Sequence, residues 1–193
     1  PPGISFYTFQ TLSYTIDIYR KKLKPEKNII NYSTYVTFFP QLVAGPIERA
    51  SILLPQFKNL TATNKKIIKS SLILISYGLV KKIVFADNFG VIVEQGIKHS
   101  IMPGVGYVVV LAFALQIYCD FSAYTDIARG TARLFGFNLS KNFMTPYFSS
   151  SPSEFWRRWH ISLSSWLRDY LYIPLGGDRN GRYARNILIT MCL

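Results

Sequence analysis

His160 is the side chain placed to gain or lose a proton near neutral pH within the most chemically equipped stretch of this chain, Ser151–Gly177. Helical spacing puts Arg157, His160, Ser164 and Arg168 on one face. A second face carries Phe155, Trp159, Leu163, Trp166 and Tyr170. An aromatic stripe beside an Arg/His stripe suits a helix lying where lipid, protein and water meet. Asp126 is the other candidate. It falls in the longest apolar stretch, Val105–Phe135, on a face with Ser122, Arg129 and Arg133. A carboxylate in such surroundings is expensive unless paired or wet, which marks it as functional or as half of a structural pair. Arg129, one turn on, is its simplest partner, with Arg133 next.

These residues need elements to hold them. Ser151 is followed by Pro152 and, three positions later, by Glu154, so a capping box with Pro at the first helical position starts a helix. The same helix is expected to continue to just before Pro174, where Gly176-Gly177 opens a turn. Asp169 lies nine residues beyond His160 and cannot orient the ring from one straight helix. The bland alternative gives the Trp and Arg residues to interfacial anchoring and His160 to a structural role.

Composition bounds the rest. The 193 residues suit a single domain over 1–193. They are 49% hydrophobic and 16% aromatic, yet carry a net charge of +12. The apolar runs fit a soluble nucleic-acid binder poorly, whereas a membrane protein with basic cytoplasmic edges accounts for both features. With no initiator Met and an apolar run at Ile187–Leu193, the chain reads as an internal fragment. Pro2–Tyr19 approaches the ~20 residues of a membrane helix, with Tyr7, Gln10, Tyr14 and Asp17 on an inward face. Arg20, Lys21, Lys22, Lys24 and Lys27 follow as a cytoplasmic edge. Ile29–Ala44 reads as a tilted or re-entrant helix, and Glu48 and Arg49 as a local ion pair at the membrane edge. Ile67–Val84 and Val105–Ile127 are predicted helices, the first ending near Lys81-Lys82, whose side chains snorkel to the interface. His99 reads as an exposed loop residue. Cys119 and Cys192 have no metal-ligand spacing and read as small buried hydrophobes. No metal site, glycine-rich phosphate loop or GxSxG elbow is present in the sequence.

Several blocks resemble the membrane-bound O-acyltransferase family. They are Phe155-Trp156-Arg157-Arg158-Trp159-His160 with Ser162, Trp166-Leu167-Arg168-Asp169-Tyr170, and Pro174-Leu175-Gly176-Gly177. PPGISFYTFQTLSYTIDIYR, Phe39–Leu42, Ala44–Arg49 and QIYCDFSAYTDIARGTARLFGF resemble further blocks. The bacterial branch that O-acetylates alginate is the nearest in appearance, and teichoic-acid D-alanyl transfer a more distant one. The resemblance implies an all-α, polytopic transmembrane fold in a cell inner membrane.

The resemblance also implies a chemistry. Acyl transfer from a thioester to a hydroxyl needs a base and stabilisation of a tetrahedral oxyanion. His160 matches a functionally important histidine of this branch and would be the base. Arg157 and Arg168 would hold phosphates of coenzyme A or of a carrier-protein phosphopantetheine. Ser164 would bind substrate or tune the imidazole, and Asp126 is a further substrate-binding candidate. A second histidine, in a Trp-His-Gly motif, is expected beyond Leu193. No cofactor is expected to be tightly bound. The expected partners are membrane lipid, an acyl thioester donor (acetyl-CoA or acyl carrier protein), periplasmic or extracellular acetylation proteins and a polysaccharide acceptor, with no nucleic acid. D-alanyl transfer, or a transporter or scaffold role in polysaccharide secretion, are the alternatives.

Overall fold

A computed structural model describes residues 4–42, 45–60, 62–98, 104–179 and 181–192, with side chains from Phe6 onward, and every regular element among them is helical. His99 lies outside the described residues. In chain order the α-helices are α1 (Ile4–Tyr19), α2 (Ile29–Val36), α3 (Ala50–Lys58), α4 (Lys65–Val80), α5 (Asp87–Lys98), α6 (Val105–Leu134), α7 (Pro152–Arg158), α8 (Ile161–Leu167) and α9 (Tyr183–Cys192). They form two compact units. One comprises residues 60–139, the other residues 1–59 with 140–193.

In the 60–139 unit, Asn64 caps α4 by accepting the Ile67 N–H at 2.9 Å, a side-chain substitute for the missing helical acceptor. The helix was expected to end near Lys81-Lys82. Instead it runs through a π-helical turn, Lys81–Ala86, into α5. Lys81 does not snorkel. Its ammonium donates to Asp126 Oδ2 at 2.6 Å and to Ser122 Oγ at 3.1 Å. Arg129 completes the arrangement, Nη1 to Asp126 Oδ1 at 3.3 Å. The predicted Arg129 partner is therefore present. Lys81, from another helix, was missed because sequence spacing shows only partners on the same helix.

Helix α6 is the one described helix long and apolar enough to cross a membrane. At helical rise its 30 residues extend about 45 Å. It meets α4 through small residues. A Cβ at Gly78 would come 2.8 Å from the Ala123 carbonyl oxygen, and one at Gly130 would come 2.9 Å from that of Ser71. Close backbone approach of this kind replaces the hydrophobic effect where lipid is the solvent.

In the other unit, Gln10, Tyr14 and Asp17 are buried, as the polar face of α1 required. Gln10 Nε2 donates to the Tyr35 carbonyl at 2.7 Å. The expected helix over Ile29–Ala44 is cut to the eight residues of α2, with a 3₁₀ turn at Phe39–Gln41. Pro40 supplies no N–H for an α-helical bond, so the turn tightens there. Around Ile47, Trp166 and Tyr170 a small core forms with Phe6, Phe9 and Leu163. Cys192 is exposed at the end of α9, contrary to the buried reading.

Lys81 and Asp126 side chains are only 12% and 17% exposed. Truncating one partner of such a pair strands the other, typically at about 3–5 kcal/mol for a buried pair. Lys81→Met is therefore expected to lower thermal stability and monodisperse yield in detergent, and Lys81→Met with Asp126→Asn to recover much of the loss. Unchanged melting of Lys81→Met would show that the pair does not hold the helices.

Candidate functional site

Helix α7 starts as the sequence required. Ser151 Oγ accepts the Glu154 N–H at 3.2 Å and Pro152 occupies the first turn. The reciprocal half of the box is displaced by one residue, because the Glu154 carboxylate takes the Ser150 N–H at 2.8 Å.

The helix then breaks, which corrects the reading of one continuous element. Trp159 is extended, and His160 sits in the left-handed region at φ 41°, ψ 57°. The physical reason lies upstream. The Met144 N–H donates to the Arg158 carbonyl at 3.0 Å, and the Asn142 carbonyl accepts the Ile161 N–H at 2.9 Å. Asn142 Oδ1 accepts the Ser162 N–H at 3.1 Å. Residues 142–144 thus satisfy the backbone groups that an unbroken helix would have paired with itself. A non-glycine residue in the left-handed region costs roughly 1–3 kcal/mol, so these bonds hold His160 in a strained position.

His160 is the N-cap of α8. Its Nδ1 accepts the Leu163 N–H at 3.4 Å. A neutral imidazole that accepts at Nδ1 carries its proton at Nε2, so the ring presents a donor from that edge. Phe6 stacks on the ring at 6.1 Å and Phe143 lies against it at 6.5 Å. His160 as a whole is 7% exposed. Burial among these groups pushes the imidazole down to about 4, partly offset by a backbone hydrogen bond, so it is neutral at pH 7.

The other predicted residues are distributed differently. Arg157 bonds within α7, Nε to the Ser153 carbonyl and Nη2 to Ser153 Oγ, both at 3.3 Å. Arg168 donates to Asp169 Oδ1 at 2.8 Å. The periodicity that placed both arginines on the His160 face does not survive the break, so the expected shared phosphate clamp loses its warrant. Ser164 donates its backbone N–H to the His160 carbonyl at 2.9 Å, and the Nδ1 bond comes from Leu163 instead. Asp126 belongs to the 60–139 unit, engaged by Lys81 and Arg129. Arg49 pairs with Asp169, not locally. Glu48 is buried and accepts from Ser140 Oγ at 3.2 Å.

Sequence reading missed Asn142. It is 1% exposed, and its Nδ2 is a buried donor without a partner among the described residues. Nothing local distinguishes it, since its partners, Ile161 and Ser162, lie 19 and 20 positions downstream. Among the described residues no cluster of His, Cys, Asp or Glu could hold a metal ion.

The family described as MBOAT, membrane-bound O-acyltransferase family, matches residues 19–192, and the chain belongs to this family. It is 43% identical, over its whole length, to 38% of a probable alginate O-acetylase from Pseudomonas syringae pv. tomato. It is 36% identical to a peptidoglycan O-acetyltransferase of Helicobacter pylori, over 93% of this chain and 39% of the relative. A teichoic acid D-alanyltransferase of Streptococcus thermophilus is 28% identical over 90% of this chain and 43% of its own length. The chain thus spans about two fifths of the length of these relatives.

Desolvation of the His160 imidazole makes folding pH-dependent. The unfolded imidazole binds its proton near 6.5 and the folded one only near 4. The stability due to the neutral ring is therefore fully present above about pH 6.5 and is lost as pH falls toward 4, by about 3 kcal/mol in all. His160→Gln is expected to flatten the pH dependence of thermal unfolding between pH 7 and pH 4.5. An unchanged slope would mean that the ring is hydrated and not desolvated.

Proposed function

We propose that the intact protein is a multi-pass membrane O-acyltransferase. It moves an acetyl or similar small acyl group from a thioester donor on the cytoplasmic side of the cell inner membrane to hydroxyls of an exported polysaccharide such as alginate, directly or through a partner protein. The observation that carries this reading is the 43% identity to a probable alginate O-acetylase along the whole chain. The lower identity to a teichoic acid D-alanyltransferase favours an acetyl over a D-alanyl group.

The reaction joins an acceptor oxygen to the acyl carbon, breaks the carbon–sulfur bond and releases a thiol, to which the hydroxyl proton is delivered. Negative charge develops on the carbonyl oxygen and then on sulfur. His160 suits stabilisation of that charge. It is neutral, its Nδ1 is held by a helix N-terminal N–H, and its Nε2–H is a donor already oriented by packing. Serving as the base, the role suggested by residue type, would require the ring to give up the Leu163 bond. The Asn142 amide is a second donor in the same neighbourhood, and its unpaired hydrogen has most to gain from an acyl oxygen.

His160→Ala in the intact protein is expected to cut O-acetylation of polymer in cells by about 100-fold or more, at matched membrane levels. His160→Gln keeps an N–H near the Nε2 position and is expected to retain at least about tenfold more turnover than the Ala variant. Equal losses in the two variants would argue against the donor role. Wild-type acetylation by His160→Ala would remove His160 from the chemistry.

A further inference from the structure

A polar cleft lies beyond the end of α1, away from His160. About 650 Å³ in volume, it is lined by the basic and hydroxyl groups of Arg20, Lys22, Arg49 and Ser51 together with Asp17, Asp169 and Tyr170. The charges are unequal in their commitments. Asp17 Oδ2 accepts the Tyr170 hydroxyl at 2.6 Å. Asp169 is shared between Arg49 and Arg168. Arg20 reaches only the Asp169 backbone carbonyl, at 3.4 Å. Lys22 makes no ion pair among the described residues, and it is exposed at the mouth with Lys21 and Lys24 beside it. Both carboxylates are thus occupied while guanidinium and ammonium donors remain for another ligand.

These donors are also held in place. The Arg20 and Arg49 guanidinium carbons lie 5.6 Å and 5.5 Å from the centre of the Tyr170 ring. Cation–π contact limits their freedom, so less entropy is lost when they bind an anion. Two forked guanidiniums with a lysine and a hydroxyl match the several oxygens of a phosphate ester better than a single carboxylate. Tyr170 lies ten residues beyond His160, across α8 and the π-helical turn Arg168–Tyr172 that continues it, which places the cleft roughly 15 Å from the imidazole along that axis. An extended pantetheine arm covers such a span.

We infer that this cleft binds the phosphate of a phosphopantetheine thioester donor, through Arg20, Lys22, Arg49 and Ser51, with the thioester directed toward His160. The inference rests on the acyl-transfer reading and moves the phosphate contact away from Arg157 and Arg168.

The test compares 4′-phosphopantetheine with pantetheine, which differ by one phosphate, on the intact protein in detergent. Wild type is expected to bind the phosphorylated compound at least about tenfold tighter, the size of one charge-assisted contact. Arg49→Gln is expected to remove most of that preference and leave pantetheine affinity unchanged. Because Arg49 also pairs with Asp169, Lys22→Glu provides a second variant with no ion pair to break, and it too is expected to reduce the preference several-fold. Equal binding of the two compounds by wild type, or an undiminished preference in Lys22→Glu, would overturn the assignment. Displacement of 4′-phosphopantetheine by phosphatidylglycerol vesicles, but not by neutral ones, would assign the cleft to a lipid headgroup and also overturn it. Acetyl transfer measured on the same preparation separates the two levels. Transfer without any phosphate preference removes this site alone, whereas absence of both transfer and pantetheine binding removes the acyl-transfer reading with it.

Discussion

Backbone N–H and C=O groups released where a helix is interrupted must find partners, and that requirement organises the 1–59/140–193 unit. Between Arg158 and Ser162 the partners come from residues 142–144, through three hydrogen bonds of 2.9–3.1 Å. Without them the left-handed His160 has no reason to persist. An unbroken α-helix would absorb Arg158, Ile161 and Ser162 into its own ladder and turn the imidazole elsewhere. The break gives His160 the N-cap position. The N-cap position fixes which nitrogen accepts, and that in turn fixes which nitrogen carries the proton.

The same unit is tied together by polar contacts between segments far apart in sequence. Trp166 Nε1 donates to the Phe9 carbonyl at 2.9 Å, and Ser162 Oγ accepts the Ile47 N–H at 2.9 Å. Helix α8 is thereby clamped between α1 and the turn before α3. Only seven residues long, α8 has little intrinsic stability, and its orientation is set by these contacts. His160 at one end of α8 and Asp169-Tyr170 just past the other are consequently joined through one helical segment.

What the sequence could show follows from range. Helices α1, α4 and α6 were legible because long apolar runs and periodic polar faces are local signals. His160 stood out by residue type, and Asp126 by its apolar surroundings. The break at His160 was illegible because Asn142 lies 18 residues upstream in an irregular segment with no pattern of its own. Pro40 was a visible breaker inside Ile29–Ala44 that outweighed the apolar run. Arg20 and Arg49 read as edge charges, since their shared position over Tyr170 is created by folding across more than a hundred residues.

The Lys81–Asp126 link carries a consequence for biosynthesis. Helix α4 and its π-helical continuation leave the ribosome before α6 does, with Lys81 still lacking its carboxylate. A bare ammonium partitions poorly into hydrocarbon, and so does a bare Asp126. Neutralised against each other, with the small-residue seam of Gly78 and Gly130 closing the gap, the two helices form a unit that lipid accepts far more readily. Integration of this region is therefore expected to occur as a helical hairpin and not one helix at a time.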